Sequence, residues 1–273
     1  MAVVDSIRMK LAWATDIHLD LAEAGKIEAF VRALESSRAD AFLIGGDIAK
    51  AGSVERHLRS LEPRLLRPIY FVLGNHDFYV GSIAKVRAAM TALSRRSRLL
   101  KWLPAAGVVQ LTPRTALIGH DGWGDARYGN VDGTPVRLND FVMIEELSGI
   151  RREVRRDRLR ALGDEAAAYV RQALPRAFAL CPHAVLLTHV PPFRESCWHD
   201  GAISNDDWLP YFTCKALGDE LLAQMSSHPG WDLTVLCGHT HGAGTAELLP
   251  NLRVWTGGAD YGAPRLERVV EVE

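Results

Sequence analysis

The stretch "LGNHDFY" (73–79) places a glycine, an amide, an imidazole and a carboxylate side by side as Gly74, Asn75, His76 and Asp77, directly after the apolar run "PIYFVL". The same arrangement recurs along the chain. Asp16-Ile17-His18 follows "MKLAWAT", Gly46-Asp47 closes "DAFLIGGD", His189 ends "AVLLTH" ahead of Pro191-Pro192, and Gly238-His239-Thr240-His241 follows "LTVLC". Each polar cluster terminates an apolar run of strand character. In open α/β sheets the carboxyl ends of the strands face a common crevice, so clusters far apart in sequence are expected to converge.

Two aspartates, an asparagine amide and several histidines form a nitrogen and oxygen donor set without a thiolate. Such donors suit Mn²⁺, Fe²⁺/Fe³⁺ or Zn²⁺ rather than a soft metal. Seven donors exceed what one catalytic metal with an open position needs. They match two metals that share a carboxylate, an arrangement suited to hydrolysis at phosphorus.

The order DxH, GD, GNHD, H, GHTH, running from Asp16 to His241, resembles the calcineurin-like metallophosphoesterase superfamily. DxH, GD or His189 alone would carry little weight. GNHD and GHTH together, in order and at strand ends, carry the resemblance. It implies an α/β fold, a four-layer sandwich of two mixed β-sheets flanked by α-helices. It also implies a site in which Asp16, His18 and His241 hold one metal, Asn75, His189 and His239 hold the second, and Asp47 bridges both. His76 is then the histidine that is not a ligand, facing the substrate to help the leaving group or the developing phosphate charge. Asp77 is expected to hydrogen-bond His76 and orient it.

The elements that must position these residues read as follows. Strands at 9–15, 40–47 and 68–73 alternate with helices at 27–37 and 54–66, the latter expected to stop near Pro63, which gives a parallel α/β beginning. Residues 82–101 read as helical, and 108–123 as a two-strand hairpin with a Thr-Pro turn. Residues 122–140, rich in Gly, Asp and Asn, read as a long surface loop of the kind that often carries function. A helix is expected over about 152–175, and strands over 184–189, 233–237 and from 252. The expected organisation is a single domain, 1–273, with a less regular insertion or lid at about 122–150.

The chain has 273 residues, is 48% hydrophobic and carries a formal net charge of −1. That excludes a disordered chain and argues against a protein that mainly coats nucleic acid or an anionic membrane. The four cysteines form no CxxC pair and read as reduced, mostly buried thiols. Charges at Asp5, Arg8 and Lys10 interrupt any signal-peptide core, and no run approaches the roughly 20 apolar residues of a membrane span. The expected location is therefore cytoplasmic, with no membrane partner; nothing in the sequence specifies an oligomeric state.

The arginines of "RREVRRDRLR" (151–160) read as a solvated helix face. His120 and Arg194 are candidate substrate-binding residues, with Trp123, Arg127, Trp198 and His199 as further candidates for the pocket wall. His57, His183 and His228 read as structural. The function expected from these residues is hydrolysis of a phosphomonoester or phosphodiester by metal-bound hydroxide, on a small phosphoester substrate. One alternative is a nuclease, with nucleic acid a partner only as substrate, which would need a basic groove. A second is a catalytically silent scaffold, which should have lost motif residues that are all present here.

Overall fold

The computed structural model describes residues 8–273, so Asp5 lies outside the described residues. In chain order the elements are β1 (Met9–Ala14), α1 (Ala24–Ser36), β2 (Ala41–Ile44), α2 (Val54–Leu65), β3 (Ile69–Phe71), α3 (Ile83–Arg96), β4 (Leu100–Trp102), α4 (Leu103–Ala106), β5 (Val109–Gln110) and β6 (Thr115–His120). They continue with α5 (Asp140–Met143), α6 (Arg152–Leu180), β7 (His183–Thr188), β8 (Trp198–His199), β9 (Ala202–Ile203), α7 (Leu209–Phe212), α8 (Lys215–Ser227), β10 (Asp232–Cys237), β11 (Gly244–Leu249), β12 (Leu252–Thr256) and β13 (Arg268–Val272). Short 3₁₀ turns lie at Asn75–Phe78 and Arg194–Ser196.

Two mixed sheets form, of order β13-β1-β2-β3-β4 and β11-β12-β10-β7-β6-β5. In the first, β1 to β4 run parallel and β13 returns antiparallel along β1. In the second, β6, β7, β10 and β12 run parallel, with β5 and β11 antiparallel at the edges. Residues from both sheets, among them Leu11, Trp13, Leu43, Leu117, Val185 and Leu236, make one apolar layer between them. A second cluster packs Phe30, Leu34, Leu58 and Met90 of α1, α2 and α3 against the first sheet. A third packs Val170, Leu174 and Leu221 of α6 and α8 against the second. Burial on both faces explains why the central strands read as continuous apolar runs. The result is a four-layer sandwich of two mixed sheets flanked by helices, as expected.

Several local readings change. Helix α2 continues past Pro63 to Leu65, and Leu66 caps it in the left-handed region (φ 52°). Helix α6 likewise runs through Pro175 to Leu180, because Leu174 and Ala177 stay buried against the second sheet and that packing outweighs the helix-breaking tendency of proline. Residues 97–102 are not helical: Leu100–Trp102 form the edge strand β4. The 122–140 segment is not wholly a surface loop, since Gly122–Ala126 are buried. Among the described residues no helix is long and apolar enough to cross a membrane. All four cysteines are free and buried.

Candidate metal centre

The loops that follow β1, β2, β3, β7 and β10 meet at one edge of the sandwich. They are tied across the two sheets by backbone bonds: the N–H of His239 donates to both carboxylate oxygens of Asp16 (3.0 and 3.1 Å), and Nδ1 of His189 donates to the carbonyl of Gly45 (2.9 Å). Five of the residues delivered here, Asp16, His18, Asp47, His239 and His241, hold positive φ between 38° and 71°. Non-glycine residues in that region cost on the order of 1–3 kcal/mol each and cluster at functional sites. Gly74 is required for a different reason. Its backbone is extended (φ −103°, ψ 178°), but an added Cβ would lie 2.1 Å from Oδ1 of Asp47.

Donor atoms of Asp16, His18, Asp47 and His241 all lie within 4.8 Å of one another. Nε2 of His18 and Nε2 of His241 are 3.3 Å apart, and Nε2 of His241 is 3.5 Å from Asp16 Oδ1. A second set lies alongside. Nδ1 of His239 is 3.0 Å from Asn75 Oδ1 and 3.2 Å from Nε2 of His189, which is itself 3.2 Å from Asn75 Oδ1. Asp47 joins the sets, with Oδ1 at 3.4 Å from His189 Nε2 and Oδ2 at 3.8 Å from His18 Nε2. All seven sequence-predicted donors are thus brought together.

The donor chemistry fits a cation. A backbone carbonyl only accepts, so His189 carries its proton on Nδ1 toward Gly45, and His239 carries its proton on Nε2 toward the carbonyl of Tyr211 (3.1 Å). Their remaining nitrogens then present lone pairs to each other and to an amide oxygen, an arrangement that repels unless a positive charge lies among them. Burial, reinforced by the neighbouring His189, pushes His239 down to about 3, and burial holds His18 at about 4 against the pull of Asp16; both rings are therefore neutral at neutral pH. Burial opposes the charge on Asp16, but the neighbouring imidazoles of His189 and His241 hold it well below the usual carboxylate range. Asp47 is pushed up, by burial and by the charge of Asp16.

Five expectations are corrected. Asp77 does not touch the ring of His76. It is fully buried, and its carboxylate accepts from the backbone N–H groups of Ile48 (2.9 Å), Ala49 (2.9 Å) and Gly74 (2.8 Å), pinning the Asp47 loop to the Gly74 loop. His120 is buried, accepts from Gly122 N–H through Nδ1 (3.1 Å) and packs on Tyr169, away from the cleft. Arg194 pairs with Asp206 and does not line the cleft. Trp123 is likewise core, against Phe78, and Arg127 is taken by Asp125 and Asp164. His199 does line the cleft, with Nδ1 donating to the carbonyl of Thr240 (2.8 Å).

The arginines of α6 are not simply solvated. Arg152 bonds the carbonyl of Val131, Arg155 those of Leu147 and Ile150, Arg156 the carboxylate of Asp132, and Arg158 the carbonyl of Glu146. They fasten the 131–150 segment, whose Glu146 caps α3 by accepting from Ser82 Oγ and the N–H groups of Ile83 and Ala84. That fastening delivers Asp140, which the sequence reading missed. Its Oδ1 accepts from Asn75 Nδ2 (2.8 Å) and Tyr79 OH (2.7 Å), turning the amide so that its oxygen faces the histidines.

Asp77 yields a direct prediction. Asp77→Ala should orphan three buried N–H groups, each costing about 1–3 kcal/mol. We expect a melting temperature lower by about 10 °C, with metal lost as a consequence of loop release. A variant that melts like the wild type would show that these bonds are dispensable.

Two sheets that deliver seven nitrogen and oxygen donors to one edge, without a thiolate, define a scaffold of metal-dependent phosphoester hydrolases. The profile of the calcineurin-like phosphoesterases matches residues 9–243, and the chain belongs to that family. Solved structures of similar fold include phosphopantetheinyl hydrolase from Mycobacterium tuberculosis, at 16% identity and a TM-score of 0.63, covering 94% of this chain and 95% of that one. They also include a dimetal phosphatase from Danio rerio, at 12% identity and a TM-score of 0.54, covering 93% and 88%. At these identities the likeness is one of fold. A comparison with curated proteins finds no match.

Proposed function

We propose that the chain hydrolyses a small phosphoester with a dinuclear metal centre. The observation that carries this reading is the position of the Asp47 carboxylate, with one oxygen toward each donor set. Asp16, His18 and His241 would hold one cation, Asn75, His189 and His239 the other, and Asp47 both. Bound there, the cations would supply Lewis acidity and lower the pKa of a water. The chain's own residues prepare that chemistry. Gly45 and Tyr211 fix the tautomers of His189 and His239, Asp140 aims the amide of Asn75, and His76 projects into a cleft of about 320 Å³ above the donors.

The cleft gives no support to a nuclease groove: Arg137 is the one Lys or Arg among the described residues lining it. The test is elemental analysis of purified protein together with activity on aryl phosphates. Close to two transition-metal ions per chain are expected, with activity lost on chelation and restored by Mn²⁺, Fe²⁺ or Zn²⁺. Full phosphoesterase activity in metal-free protein would refute the reading.

A further inference from the structure

The cleft has two aromatic walls that hydrolysis itself does not require. Tyr261, on the loop after β12, is 59% exposed, and its ring lies 4.7 Å from His18 and 4.9 Å from His241. At the other donor set, Phe212 lies 5.0 Å from His239, edge on, and Trp208 lies 5.0 Å from Phe212 while remaining 40% exposed. Single exposed aromatics are ordinary. Here two exposed large aromatics stand on the rim of one cleft, Tyr261 beside one donor set and Trp208 behind Phe212 at the other. The same rim carries Arg137, exposed and without a carboxylate in ion-pair range among the described residues.

A phosphoryl group centred over Asp47 would direct its substituents toward these walls. A monoester has one organic substituent and approaches two negative charges at neutral pH. A diester has two substituents, matching the two walls. Planar rings stack on exposed indole faces, and such stacking is worth about 10-fold or more in affinity.

We propose that the substrate is a phosphodiester with an aromatic ring on at least one arm, that ring stacking on Trp208 and the other arm lying against Tyr261. The proposal rests on the dinuclear hydrolytic reading above. In the reaction, water oxygen bonds to phosphorus, the P–O bond to one arm breaks, and that arm leaves as an alcohol carrying a proton, so diester and water give monoester and alcohol.

The test compares three esters with the same nitrophenolate leaving group on metal-loaded protein: bis(para-nitrophenyl) phosphate, methyl para-nitrophenyl phosphate and para-nitrophenyl phosphate. Values of kcat/KM, each divided by its uncatalysed rate, should fall in that order. Trp208→Ala should shrink the preference between the two diesters by about 10-fold, and Trp208→Phe should retain most of it. Calorimetry supplies a readout without turnover. Diphenylphosphinate, which has no P–O–C bond to break, should bind more tightly than dimethylphosphinate, and Trp208→Ala should remove that difference. Preference for the monoester overturns the proposal. So does an equal fall for all three esters in Trp208→Ala with the phosphinate difference intact. Failure of metal-loaded protein to hydrolyse any of the three would refute the hydrolytic reading itself, and the substrate proposal with it.

Discussion

Asp47→Asn should yield a folded protein that keeps at most one metal per chain and loses about 10³-fold in kcat/KM, as expected when a preorganised charge is removed from a reaction centre. The side chain keeps its shape, so an acceptor oxygen remains for the N–H of His76, which Asp47 Oδ1 now takes at 2.8 Å. The loop geometry, including φ of 50° at this position, is compatible with asparagine, which tolerates the left-handed region well. What disappears is the negative charge between the two donor sets, and with it the offset to repulsion between two cations. Asp16→Asn should be milder, because it removes charge from one set only and can still accept from His239 N–H. Metal content after dialysis, melting temperature and kcat/KM should be measured on the same preparations. Two metals and full turnover in Asp47→Asn would mean that the carboxylate is not shared.

The donors were legible because each stands at the carboxyl end of a strand whose apolar run is unmistakable, and parallel strands place such ends on one edge. The same rule applied to β12 points to the loop carrying Tyr261, which motif reading passed over. Asp140 was harder to see. It belongs to a segment with no period, and its importance depends on the arginines of α6 and on Glu146, whose partners are backbone carbonyls and N–H groups that leave no mark in side-chain chemistry. The strand β13 has only five residues and pairs with β1 from the other end of the chain, so nothing local marks it. Pro63 does not stop its helix, and Pro175 does not stop α6, because a helix with one face buried on a sheet can absorb a lost backbone bond. Asp77 departs from expectation because adjacency in sequence is not adjacency of side chains: the 3₁₀ turn at 75–78 sends the carboxylate inward and the imidazole outward.

His76→Ala should leave metal content unchanged and lower kcat/KM by about 10²-fold, with nearly the same factor for an aryl and an alkyl leaving group. The expectation follows from how the ring is held. It stacks on Tyr79 at 4.2 Å and meets His18 edge to face at 4.6 Å, while its backbone N–H donates to Asp47. Among the described residues no carboxylate is hydrogen-bonded to the imidazole: Asp77 is occupied by three backbone N–H groups, and Asp47 Oδ2 stands at 3.9 Å from Nε2. Burial pushes its pKa down to about 2, so the ring is neutral at working pH. A neutral imidazole still has one N–H to donate. It can therefore stabilise charge building on a phosphoryl oxygen without surrendering a proton to the leaving group, and such stabilisation acts equally on good and poor leaving groups. His76→Gln, which restores a donor but not an acid, should recover part of the lost rate. A much larger fall for the alkyl ester, with no recovery in His76→Gln, would instead establish proton transfer to the leaving oxygen. Loss of metal in proportion to activity would place His76 among the ligands.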